Sequence, residues 1–166
     1  IGNVPQNAFL FSESIEDNIR LGKKDANDSE IIAASKNAVV HDNILDFKEG
    51  YKTLLGERGV TLSGGQIQRV SIARALIKDP EILLFDDCLS AVDTDTEEKI
   101  LKNLNVFCKN KTSIIVSNRV SSVKEAHHII VLDKGRIIEE GNHEKLLKNK
   151  GTYAELFNKQ QDEKTF

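Results

Sequence analysis

The run Leu62-Ser63-Gly64-Gly65-Gln66 and the carboxylate pair Asp86-Asp87, which follows the apolar segment Ile82-Leu83-Leu84-Phe85, are the residues of this sequence best suited to chemistry. A serine and two glycines opening a helix leave backbone N–H groups free, and the helix dipole adds partial positive charge, so that end attracts anions. An aliphatic strand ending in paired carboxylates offers hard oxygen ligands for magnesium and a group that positions a water. Together the two features point to phosphoryl chemistry. Alone they say less: Ser-Gly-Gly is commonly a loop, Asp-Asp is commonly a solvated turn, and Ser63 by itself is an ordinary helix cap.

The elements around them can be read from periodicity. A short opening strand precedes a helix over residues 14–21, with Ser12 or Ser14 near its start and Gly22 as its stop. Asp28 or Ser29 is expected to cap a second helical stretch whose apolar residues Ile31, Ile32, Val39, Val40, Ile44 and Leu45 recur at helical spacing. Residues 50–62 are polar and glycine-bearing and read as a loop. A third helix runs from Ser63 to about Ile77 on a stripe of Ile67, Val70, Ala73 and Ile77, and Asp79-Pro80 ends it. Residues 82–85 read as a strand buried on both faces, followed by a helix over 95–108, a second buried strand over 113–117 and a short helix near 120–126. Lys134-Gly135 joins the strands 129–132 and 136–139 as a hairpin. Two amphipathic helices, 143–148 and 152–160, close the sequence. The fold class is therefore α/β: a helical lobe over about residues 7–79, then a parallel-sheet lobe over about 80–166.

Composition narrows the partners. The 166 residues suffice for one core, in one or two lobes. A net charge of −3 and a pI near 5.9 give no electrostatic case for nucleic acid. No apolar run approaches the roughly 20 residues that span a bilayer, so a membrane connection would run through a partner or through further sequence. Cys88 and Cys108 match no metal-ligand spacing and make no disulfide framework; they read as reduced thiols of a cytosolic protein. The sequence opens at Ile1 and contains no methionine, which reads as a piece of a larger protein.

The constellation resembles the nucleotide-binding domain of ATP-binding-cassette (ABC) transporters over essentially the whole sequence. The 62–66 run matches that family's signature motif and continues as Ile-Gln-Arg-Val-Ser-Ile-Ala-Arg-Ala-Leu; residues 82–86 are similar to its Walker B strand; Gln6, in Val4-Pro5-Gln6-Asn7, stands at the Q-loop position; Ser90-Ala91-Val92-Asp93 resembles the D-loop. Glu57-Arg58-Gly59 resembles the X-loop of exporters, and Phe9-Leu10-Phe11-Ser12 and the tail Gly141-Asn142-His143-Glu144 are similar to the exporter form. The resemblance implies ATP and Mg2+ as cofactors and a RecA-like second lobe. In that scheme Asp86 and Gln6 hold the metal, Asp87, Asn118 and Gln6 act at the reacting phosphate, and Leu62, Ser63, Gly64, Gly65, Gln66 and Asp93 contact ATP. It further implies a second ATPase domain as partner, a transmembrane domain fused upstream, and a place on the cytoplasmic face of the cell membrane. The competing expectation within the family is a non-transport ATPase acting on DNA or ribosomes; a truncated product with only an interaction role is a third.

Two departures from the family pattern matter. No Gly-x-x-x-x-Gly-Lys-Ser/Thr run is present, so the phosphate loop and N-terminal β-subdomain are absent from this sequence, and ATP binding by the chain alone is expected to be weak or nil. The catalytic positions are also altered. Asp87 stands where the family has glutamate, one methylene shorter, which withdraws the carboxylate by about 1.5 Å; a misplacement of that size can cost on the order of 100-fold in a step that depends on positioning. Asn118 replaces the switch histidine and can donate a hydrogen bond but cannot take up the proton and charge that a histidine can. In the family two cassettes pair head to tail, each ATP lying between one subunit's phosphate loop and the other's signature. Gln6, Asp86, Asp87 and Asn118 would then serve this subunit's own ATP, and the 62–66 run its partner's. The damage falls on the first set alone, which implies a heterodimeric exporter with one degenerate and one competent site.

Overall fold

The computed structural model describes residues 1–56 and 59–162, in two compact units, Ile1–Val116 and Ser117–Phe166. The first unit runs β1 (Gly2–Val4), α1 (Ile15–Arg20), α2 (Asp28–Asn37), α3 (His41–Leu45), a 3-10 turn (Gly50–Lys52), α4 (Gly64–Leu76), β2 (Ile82–Asp86), α5 (Thr94–Phe107) and β3 (Thr112–Val116). The three strands form a parallel sheet with β2 in the middle; Gly2 lies opposite Leu83, Val4 opposite Phe85, and Asp86 opposite Val116. This is the mixed α/β architecture the sequence implies.

Helix α4 is the centre of the unit. It packs on α1, α2 and β1, so its buried set, Val70, Ile72, Ala73, Ala75 and Leu76, is wider than a single stripe. Small residues let neighbouring backbone close in: a Cβ at Gly22 would stand 2.0 Å from the carbonyl oxygen of Arg74. On the sheet, a Cβ at Gly2 would meet both Leu83 and the Ala75 carbonyl, which puts α4 over the face that carries Val4, Leu83 and Phe85, all buried.

Three local expectations are corrected. Neither Asp28 nor Ser29 caps α2; Asn27 does, in a capping box with Glu30, leaving Asp28 in the first turn where its charge favours the helix dipole. The helical stretch over 28–45 is broken, because Val39 adopts a left-handed backbone (φ 54°) between α2 and α3. That conformation is costly for a β-branched residue, and the Arg69 guanidinium, donating to the Val39 carbonyl and to Asn43 Oδ1 at 2.7 Å, holds it in place. Nor are β2 and β3 buried on both faces: Ile82 is 38% exposed, Ile114 51% and Val116 52%. A strand is buried twice only when helices cover both its faces, and α4 covers one.

The second unit contains α6 (Val120–Val123), the hairpin β4 (Ile129–Asp133) and β5 (Arg136–Gly141), α7 (His143–Asn149) and α8 (Thr152–Asp162), around a core of Val120, Ile129, Leu146 and Tyr153. Lys134 and Gly135 both take positive φ, as a two-residue hairpin turn requires. The Glu139 carboxylate accepts the first free amides of α8, Thr152 N–H at 2.7 Å and Tyr153 N–H at 3.2 Å. His143 is half-buried: its Nδ1 pairs with the Tyr153 hydroxyl at 2.8 Å and its ring meets Phe157 edge to face.

Candidate functional site

Ser63 is the N-cap of α4. Its backbone is extended, its Oγ accepts from the Gln66 N–H at 3.2 Å, and the Gln66 Oε1 accepts from the Ser63 N–H at 2.9 Å. Ser63 and Gln66 thus satisfy each other in a closed capping box. Leu62 is 7% exposed and roots the run in the core, while Ser63 and Gly64 remain exposed. A 13-residue helix therefore presents its positive end with small residues in front of it.

The segment after β2 lies directly against this helix start. A Cβ at Gly65 would come 2.8 Å from the Ala91 carbonyl oxygen, so residue 65 has to be glycine for the segment to sit there. Gln68 joins the two further: its Oε1 accepts from the Ala91 N–H at 3.1 Å and its Nε2 donates to Ser90 Oγ at 3.3 Å. Asp93 ends the segment as the N-cap of α5, accepting from the Thr96 N–H at 2.9 Å. That amide, more than any other group, holds its carboxyl below the usual carboxylate range.

Asp86 is the last residue of β2 and is exposed. Asp87 leaves the strand with positive φ (43°), anchored by its N–H to the Val116 carbonyl at 2.8 Å. The parallel pairing of Val4 with Phe85, carried two residues further, sets Gln6 beside Asp87, and Gln6 Nε2 donates to Asp87 Oδ2 at 3.3 Å. Gln6, Asp86 and Asp87 thus gather at the C-terminal edge of a parallel sheet, where α/β proteins place ligands. Neighbouring Cys88 is buried, and its thiol is pushed up to about 12 by that burial, in keeping with a packing role. Asn118 belongs to the second unit, where its carbonyl accepts from Gln160 Nε2 at 2.8 Å and the Gln160 Oε1 accepts from the Val120 N–H at 2.8 Å. Glu57 and Arg58 lie outside the described residues.

The donors at the sheet edge are two carboxylates and an amide, hard oxygen groups suited to magnesium. Among the described residues no group of three or more His, Cys, Asp and Glu is gathered as a metal cage. A magnesium ion that arrives on nucleotide phosphates needs only one or two protein carboxylates, and Asp86 at the end of β2 fits that requirement.

Sequence reading missed Gln68, Arg74 and Gln160. Gln68 did leave a signal, since it is a polar residue on the side of α4 that also carries Ile72 and Leu76. The partners of Arg74 and Gln160 are fixed only by tertiary structure.

The family model described as "ABC transporter" matches residues 1–90. The chain is 50% identical, over 97% of its length, to "ATP-binding cassette sub-family B member 6" of Rattus norvegicus, and 52% identical over 96% to "Multidrug resistance-like ATP-binding protein MdlA" of Buchnera aphidicola. It covers 19% and 28% of those proteins, so it spans about a fifth to a quarter of the length of curated relatives it matches. Among solved structures it is similar to a bacterial Atm1-family ABC exporter with ATP bound, at a TM-score of 0.91 and 44% identity, covering 96% of this chain and 28% of that one.

Proposed function

Because this chain belongs to the ABC transporter family, we propose that it is the C-terminal part of an exporter's nucleotide-binding domain, binding MgATP on the cytoplasmic side of a membrane and powering transport through a transmembrane domain. The observation that carries this reading is the Gln6–Asp87 contact at the end of β2, in the same unit as an α4 whose start is left open by Ser63 and Gly64. The names of its relatives, an Atm1-family exporter and a multidrug resistance-like ATP-binding protein among them, favour export over the other uses of the fold. No helix among the described residues is long and apolar enough to cross a membrane, and the transmembrane domain would come from elsewhere in the protein.

In this reading Asp86 and Gln6 hold magnesium, which when bound neutralises charge on the nucleotide phosphates. Asp87 orients the attacking water and Gln6 orients Asp87. Asn118, whose backbone carbonyl Gln160 holds within the second unit, is the proposed donor to the terminal phosphate. The open start of α4, with Asp93 close by in sequence beyond Ala91, faces the ATP held by a partner domain. A shortened Asp87 and an uncharged Asn118, in a sequence whose 62–66 run is intact, support an asymmetric pair: this subunit holds a slowly hydrolysed ATP and lends its helix start to the partner's active site. The 166-residue chain by itself, without a phosphate-loop sequence, binds MgATP weakly or not at all.

The test is ATP hydrolysis by the full-length protein in lipid. We expect turnover in the reconstituted protein that neither duplex DNA nor ribosomes change. A several-fold stimulation by either would overturn the exporter reading in favour of a non-transport ATPase.

A further inference from the structure

The second unit holds a cavity of about 170 Å³ enclosed by α6, the start of α7 and one side of α8. Its walls differ in kind. Gln160 is already committed: its Nε2 donates to the Asn118 carbonyl and its Oε1 accepts from the Val120 N–H, both at 2.8 Å, so it forms a fixed wall with little left to offer a ligand. The Val120 side chain and the Phe157 ring, which stands edge to face on His143, are apolar. His143 Nδ1 is held by the Tyr153 hydroxyl at 2.8 Å, which leaves Nε2 as that ring's remaining polar atom. When the hydroxyl donates to Nδ1, the ring proton lies on Nε2 and makes it a donor.

The Lys124 side chain completes the lining and is exposed, so the cavity opens to solvent there. Its ammonium makes no ion pair or hydrogen bond among the described residues, and among those residues no carboxylate lines the cavity. An ammonium and an imidazole without a carboxylate select an anion, and an aromatic ring beside them selects an apolar body. The volume is below the roughly 300 Å³ at which drug-sized pockets begin and equals about five or six waters at about 30 Å³ each. The space therefore suits a small acid. We propose that this cavity binds a small carboxylate with an aromatic or branched apolar body. The carboxylate takes the Lys124 ammonium and His143 Nε2, and the body lies against Phe157 and Val120. The site lies wholly within the second unit and stands independently of the roles given to the 62–66 run and Asp87.

The test is calorimetric titration of the full-length protein in detergent with sodium benzoate, followed by competition with inorganic phosphate. Lys124→Gln removes the charge, and Gln161→Glu sets a carboxylate on the lining; both positions are exposed, so both variants keep the fold. We expect saturable benzoate binding in about the millimolar range, the scale for so small a ligand. Either substitution should weaken it about tenfold or more, the scale of one charge-assisted hydrogen bond. Phosphate, which leaves the apolar wall uncovered, should displace benzoate only at concentrations about fivefold higher or more. A parent protein without saturable benzoate binding, or variants that bind as the parent does, would overturn the site. Phosphate that displaces benzoate at equal or lower concentration would reduce the cavity to a charged surface and overturn the carboxylate assignment.

Discussion

Gly65→Asp in the full-length protein, assembled with its partner, is expected to lower ATP turnover by about 100-fold or more, with Gly65→Ala falling by about tenfold. Two causes act in the aspartate variant. Any Cβ at position 65 meets the Ala91 carbonyl oxygen at 2.8 Å, backbone against side chain, so the 88–93 segment has to move away from α4. Shifts approaching 1 Å at a positioned site cost on the order of 100-fold. The carboxylate then adds negative charge at the first turn of a helix whose positive end is proposed to face phosphate. The alanine variant isolates the steric part. Measured kcat values settle it: an aspartate variant within about threefold of the parent would show that nothing anionic is held at the start of α4.

Arg74→Met is expected to destabilise the chain by about 3 kcal/mol, from the loss of hydrogen bonds made by a charged donor, equivalent to a fall in melting temperature of about 6–12 °C at this size. Arg74 donates to the Asn18 carbonyl at 2.8 Å, to Asn18 Oδ1 at 2.9 Å and to the Phe9 carbonyl at 2.9 Å. Asn18 is fully buried and itself holds the loop before α1, donating to the carbonyls of Phe11 and Ser14 and accepting from the Phe11 N–H at 2.8 Å. Burial depresses the guanidinium pKa without removing its charge, and methionine keeps the stem while deleting every donor. Thermal unfolding followed by circular dichroism checks the value; a shift under about 2 °C would mean that water replaces these bonds at no cost. Because the same arginine fixes the loop that follows Gln6, the variant also loosens the carboxylate edge of the sheet.

What could be read from the sequence was local chemistry. The Ser63 cap, the stop at Asp79-Pro80 and the Lys134-Gly135 turn each depend on one or two residues whose backbone preferences decide the outcome, and all three appear where expected. The break at Val39 was not legible, because a valine in the left-handed region is held there by Arg69 from another helix. The open face of the sheet was hidden for a similar reason: an unbroken apolar run reads as doubly buried, and only the position of α4 shows which face is covered. At the site, the residue types of Gln6 and Asp87 were recognisable, but their contact follows from strand register, which neither residue reveals. Gln68 and Ser90 stand 22 positions apart, and their bond exists only once α4 lies against the turn after β2.

The proposed asymmetry of the two ATP sites is tested most directly by comparing, in the full-length complex, ATP turnover after Asp87→Ala with turnover after alanine replaces the catalytic glutamate of the partner domain. The account predicts that the first variant keeps at least about half of the parent rate, since Asp87 serves a site that contributes little, and that the second falls to background, by about 100-fold or more for a lost water-positioning group. Equal losses from the two substitutions would contradict it.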